Sequence, residues 1–263
     1  MKFDPSGGYR RLDSWVMASI VQFANFRFCA KFVTRAIDPT GRQYDQMTQT
    51  ARSGKVNIVE GSARSSTSKE TEMKLTDVAR ASLAELHSDY EDWLLRKELV
   101  PWRKDSPEAQ AVYARRLDKP EYGDDVVHDS CVHLLAQKKK FAHWLQSDDH
   151  EVFANAMLIL LSRTINMLIR QKEAQGETFA QEGGFREKLS TVRIEARAQA
   201  EGAPVCPECG KPMKRRTARS GPNAGHAFWG CTGYPACTAV RPIDRQDRQA
   251  STGSTGAESS TGK

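Results

Sequence analysis

Several signals are missing from this 263-residue chain, and each absence removes a class of protein. No run of about 18 apolar residues occurs, so no membrane span is expected. The longest apolar stretch, residues 157–161, fits a buried helix face. Residues 1–13 hold no apolar core of the kind a signal peptide carries, which leads to a cytoplasmic expectation. Strand signals are almost absent before residue 205. No glycine-rich phosphate loop and no nucleophile-elbow pattern occurs. His87, His128, His133, His143, His150 and His226 are scattered. His128 and His133 stand five apart, not the three or four that share a helix face. No catalytic constellation is legible, and the protein is expected not to be an enzyme.

What is present is unevenly placed. The formal charge is +6, with 27% charged and 39% hydrophobic residues, an ordinary balance for a globular chain. Between Cys206 and Arg241 there are six basic side chains (Lys211, Lys214, Arg215, Arg216, Arg219 and Arg241) and one acid, Glu208, a net of +5. Residues 1–205 carry only +1. Such asymmetry points to a polyanion as the partner of the C-terminal stretch and not of the rest.

Helical spacing dominates the first 173 residues. Leu12, Trp15, Val16, Ser19, Ile20, Phe23 and Phe26 predict a helix reaching about residue 37, where Asp38-Pro39-Thr40-Gly41 stops it. A second helix is expected over residues 42–59, with Gly54 as a weak point and Gly61 just past its end. A third spans residues 68–97, with Met73, Leu75, Val78, Ala79, Leu83, Leu86, Tyr90, Trp93 and Leu94 on its apolar face. Residues 98–125 read as an inserted, irregular connector containing one short helix near residues 108–117. Periodicity resumes over residues 125–145 and, after a cap at residues 147–149, over residues 151–173. The domain expected over residues 9–173 is thus a bundle of antiparallel helices. Residues 174–204 read as a partly helical linker, residues 205–243 as a separate module, and residues 244–263 as a disordered tail. Cys29 and Cys131 sit alone in helical patterns and read as small core residues.

The other four cysteines cluster. Cys206-x2-Cys209 and Cys231-x5-Cys237 are two short pairs separated by 21 residues. This spacing suits one tetrahedral, structural Zn2+ held by four thiolates, with no coordination position left for catalysis. A module this small has little core, so the metal stabilises its fold directly. Between the pairs lies the basic run Lys214, Arg215, Arg216 and Arg219, followed by Phe228, Trp229 and Tyr234, with Arg241 beyond. Cations neutralise phosphates and exposed rings stack on unpaired bases, at about 1–3 kcal/mol per base. These eight side chains are the candidate nucleic-acid contacts. Phe228 and Tyr234 could instead pack over the zinc. Phe228 and Trp229 are adjacent on a strand, so one of the two should face out. The zinc–thiolate centre carries about −2, which leaves the module near +3, still basic.

Two resemblances follow from quoted residues. Cys206, Pro207, Cys209, Gly210, Met213, Phe228, Gly230, Cys231, Tyr234, Pro235 and Cys237 fall on the pattern of the four-cysteine zinc finger of bacterial type IA DNA topoisomerases. The resemblance covers about 13% of the chain and implies a ribbon that binds DNA, notably single strands. The catalytic topoisomerase core is longer than this whole chain, so no topoisomerase activity is implied. Separately, Leu12 to Trp15, Ser53, Asn57-Ile58-Val59-Glu60-Gly61, Arg64 and Ser82-Leu83-Ala84-Glu85-Leu86 resemble a family of bacterial four-helix-bundle proteins. These are encoded in ribosomal RNA intervening sequences or serve as accessory proteins of diversity-generating retroelements. This implies an antiparallel four-helix bundle, a homo-oligomer, pentameric rings among them, and contacts with DNA or RNA; an alternative reading makes the bundle an adaptor for a protein partner. The expected fold is therefore mainly α, a four-helix bundle plus a small C-terminal zinc ribbon.

Overall fold

A computed structural model describes residues 8–182, 189, 190, 192–194, 196 and 202–243. The chain divides into two units, Met1–Phe185 and Arg186–Lys263. The first is helical. The second carries a small antiparallel sheet, in the order β1-β2-β3. The tail expected to be disordered, residues 244–263, lies outside the described residues.

After a 3-10 turn at Gly8–Arg11, α1 runs over Asp13–Phe32. It stops earlier than its spacing predicts because Ile37 and Asp38 both donate their backbone N–H to Thr34 O, closing a turn. Asp38 then organises the start of the next helix, accepting from Tyr44 N at 3.0 Å and from Thr40 Oγ1 at 3.2 Å. The Tyr44 amide holds the Asp38 carboxyl below its ordinary value. Next, α2 spans Arg42–Arg64, past Gly61, which was expected outside it. Both of its inner glycines are contact points. A Cβ on Gly54 would lie 2.5 Å from Leu83 Cδ2, and one on Gly61 3.3 Å from the Glu72 carbonyl. A side chain at Gly54 would require Leu83 to shift, and one at Gly61 would be tight against the Glu72 backbone.

The partner in that contact is α3, Lys69–Leu95, capped by Ser68 Oγ accepting from Thr71 N. Its buried face is Thr76, Ala79, Leu83, Leu86, Tyr90, Trp93 and Leu94, whereas Val78 is exposed. The connector holds α4, Pro107–Tyr113, started by Ser106 and Pro107. It is pinned where Trp102 N donates to Asn155 Oδ1 at 2.7 Å.

The single helix expected over residues 125–145 is two: α5, Val126–Lys139, and α6, Ala142–Leu145. The break turns Phe141 fully into the core. Two of the three buried positions on α5, beside Leu134, go to polar side chains with partners. Ser130 Oγ accepts from Arg10 Nη1, and Gln137 is bonded twice to Asp118. Cys131, expected in the core, is consequently exposed, along with Val127, Val132 and Leu135.

Finally, α7 covers His150–Glu182 and continues through residues 174–182, which were read as linker. Gln175 explains the continuation. It accepts from Thr76 Oγ1 and donates to Glu72 Oε1, both at 3.1 Å, fastening this part of α7 to α3. Leu189, Ser190, residues 192–194 and Ala196 are also helical. By length and composition α7 is apolar enough to cross a membrane, with a mean hydropathy of 1.7, yet 61% of that window is buried within the fold. That burial follows from its packing on α1, α3, α4 and α6.

In this unit α2 packs against α1 and α3, and α7 against α1 and α3. The four long helices thus share one core. At its centre Phe28 touches the rings of Phe32, Tyr90, Trp93 and Phe153. Two of the core's polar side chains are joined: Tyr90 donates its hydroxyl to Asn25 Oδ1, and Asn25 Nδ2 donates to Met47 O, each at 3.0 Å. Buried Cys29, read correctly as a core residue, has its thiol pushed up to about 12 by desolvation and by Asp89.

Candidate metal centre and nucleic-acid interface

Two turns and a sheet build the second unit. In the first turn Cys206 N donates to Lys211 O at 2.8 Å and Gly210 N to Cys206 O at 3.0 Å. Gly210 has φ +71, a left-handed conformation open to glycine at no steric cost. In the second, Cys237 N donates to Gly233 O, and Gly233 N points at Cys231 Sγ from 3.2 Å. The sheet joins β1, Met213–Thr217, to β2, Ala227–Cys231, and β2 to β3, Val240–Pro242.

All four predicted ligands come together. The sulfurs of Cys206, Cys209, Cys231 and Cys237 lie within 4.8 Å of one another. Cys206 and Cys237 are 3.8 Å apart, and Cys209 and Cys231 3.4 Å. A tetrahedron with Zn–S bonds of about 2.3 Å has sulfur–sulfur edges of about 3.8 Å. The separations therefore suit one ion, and no disulfide joins the four. Backbone N–H groups of Cys209, and less strongly of Glu208, bring the Cys206 thiol down to about 7. The set is one structural zinc site. Glu208, the one acid between Cys206 and Arg241, sits beside it, 3.6 Å from Cys237 Sγ.

The register sorts the predicted nucleic-acid contacts by face, because cross-strand partners in a sheet share a face. Met213 pairs with Cys231, and Arg215 with Trp229, which pairs in turn with Arg241. This face is the module's core: Cys206, Met213, Trp229 and Cys231 are buried together. Trp229, at 5% exposure, is therefore a core residue and not a stacking platform, contrary to the sequence expectation. Its large ring supplies the apolar filling a module this small otherwise lacks. Arg215 and Arg241 flank it in register.

On the opposite face Lys214 pairs with Gly230, and Arg216 with Phe228. Lys214 and Arg216 are exposed and Phe228 is half-buried. Gly230 is a residue of strand β2. It is the middle of this face: a Cβ there would meet Arg216 Cδ at 3.1 Å and Phe228 Cε2 at 3.5 Å. Its bare backbone lets the Arg216 stem and the Phe228 ring lie side by side. Arg219 is exposed in the loop after β1, and Tyr234 is 65% exposed in the turn between Cys231 and Cys237.

Comparison with known proteins agrees with this geometry. Residues 204–246 match the family described as the topoisomerase DNA binding C4 zinc finger. A plasmid DNA topoisomerase I from Xylella fastidiosa (strain 9a5c) is 40% identical over 55 residues. That similarity takes in 21% of this chain and 7% of the relative, so the chain shares only a small part of its length. No solved structure matches the chain.

Proposed function

We propose that this is a nucleic-acid-binding protein in which a helical unit carries a zinc ribbon to DNA, with single strands preferred. The observation that carries this reading is the strand β1 between the two cysteine pairs, with Lys214 and Arg216 exposed on one face beside Phe228 and a bare Gly230. The cations take the phosphates, and the half-open ring takes a base. Binding of this kind needs no catalytic step. The helical unit is read as a four-helix bundle of the retroelement-accessory kind that assembles into homo-oligomers in the cytoplasm. Several weak ribbons on one assembly would then bind by avidity. A second reading, a protein adaptor, draws on the apolar side chains that α5 leaves outward, Val127, Val132 and Leu135.

Binding of the zinc-loaded chain to a labelled single strand, an RNA and a duplex across a salt series tests the proposal. Tight, salt-dependent binding that drops at least tenfold in Lys214→Ala/Arg216→Ala is expected, with Phe228→Ala reducing single-strand affinity more than duplex affinity. Absence of binding to all three polymers by the folded, metal-loaded protein would sink it and favour the adaptor.

A further inference from the structure

Hydroxyls inside helices usually bond back to a carbonyl one turn earlier. Thr164 Oγ1 donates to Leu160 O at 2.7 Å, Thr76 Oγ1 to Glu72 O at 3.0 Å and Thr48 Oγ1 to Tyr44 O at 2.9 Å. Ser162, in the middle of α7, reaches across to α3 instead, with its Oγ 3.1 Å from His87 Nε2. The other ring nitrogen, His87 Nδ1, lies 3.6 Å from Glu91 Oε2, one turn further along α3. Hydroxyl, imidazole and carboxylate thus stand in the order in which a base takes a proton from a nucleophile and an acid holds the base in place.

The three side chains open onto a pocket of 140 Å3 between α3, α7 and the connector. Trp102, Leu158 and Ile159 form apolar wall, and Lys104 and Tyr113 also line the pocket. This volume is below the roughly 300–1,000 Å3 of pockets for drug-sized ligands, which restricts an occupant to a small group.

We propose that Ser162 is an acylatable nucleophile, assisted by His87 and positioned through Glu91, in a pocket that takes the short acyl group of an ester. Ser162 Oγ adds to the acyl carbon while its proton moves to His87 Nε2 and the carbonyl pair moves onto oxygen. Among the residues lining the pocket, Lys104 and Tyr113 are the types that could donate to that oxygen. The tetrahedral adduct then expels the alcohol, which takes the proton from His87. Water, deprotonated by the same nitrogen, releases the acyl group as the carboxylic acid and restores Ser162. This activity goes beyond nucleic-acid binding and does not depend on it.

The test treats the full-length protein with a biotinylated fluorophosphonate, which phosphonylates a reactive serine with loss of fluoride, and separately with p-nitrophenyl acetate. A single adduct mapped by mass spectrometry to Ser162 is expected. It should be absent from Ser162→Ala and form about 100-fold more slowly in His87→Gln. Glu91→Gln should lower kcat for the ester with KM unchanged, whereas general damage to the pocket would move both. Helical circular dichroism confirms that each variant is folded, and Ser162→Ala places a strong helix former in a helix. An unlabelled wild-type protein, an adduct on a different serine, or ester turnover unchanged in Ser162→Ala would each overturn the proposal.

Discussion

Asp89 sits half-buried on α3 with its carboxyl pushed up to about 6, first by desolvation, then by Asp92 and Glu85, with Arg96 pulling the other way. An unfolded aspartate titrates near 3.9. Between about pH 4 and pH 6 the folded state therefore holds a proton that the unfolded state has lost, and the contribution of this side chain to stability falls as pH rises through that window. Asp38, Asp77, Asp118 and Asp148 lie below their ordinary values and act in the opposite sense, losing their contribution as pH falls. The difference between wild type and Asp89→Asn isolates the one residue. Near pH 4 the two proteins should melt together. By pH 7 the variant should be more stable by roughly 1 kcal/mol, after discounting for the exposed half of the side chain. Thermal melts at pH 4, 5, 6 and 7 check this, and a constant offset across the series would contradict it.

The elements depended on what their residues meet elsewhere, and this divides what was legible in the sequence from what was not. The ligand set was readable because four cysteines with short spacings require no knowledge of tertiary packing. The helices of the first unit were readable from apolar spacing, but their ends were not. The end of α1 is set by Thr34 accepting two amides, and the length of α7 by Gln175 reaching α3. Cys131 was misplaced because Ser130 and Gln137 find polar partners inward and rotate α5. The alternation of β2 required one of Phe228 and Trp229 to face out, and register with Met213 and Cys231 decided which. Gly54 makes the same point most sharply. In an isolated helix, alanine there would gain about 1 kcal/mol of propensity. In this fold the added carbon meets Leu83 at 2.5 Å, and Leu83 is fully buried. Overpacking of about 1–3 kcal/mol outweighs the propensity gain. Gly54→Ala should lower the urea midpoint by an amount worth about 1 kcal/mol with the slope unchanged, and a raised midpoint would show that α2 and α3 can separate at no cost.

At the scale of the molecule, two units are stabilised by different means. The helical unit buries a large aromatic and aliphatic core, whereas among the described residues of the second unit the buried cluster is Cys206, Met213, Trp229 and Cys231. Half of that cluster is metal ligand, so its packing and its zinc cannot be separated. Removing the ion leaves four sulfurs within 4.8 Å of one another without the charge that keeps them together as thiolates. Among the described residues the helical unit holds no such cluster of ligands. A strong chelator should therefore unfold one unit and leave the other. Hydrogen exchange resolves the two directly. The amides of Cys231, bonded to Ala239 O, and of Met213, bonded to Pro204 O, should exchange rapidly on chelation. Amides around Leu83, Leu86 and Tyr90 in α3 should keep their protection. Nucleic-acid affinity should fall with the first set and return when zinc is restored. Loss of protection in α3 on chelation would mean that the ribbon supports the helical fold, while retained protection at Cys231 would mean that Trp229 and Met213 hold the ribbon without the metal.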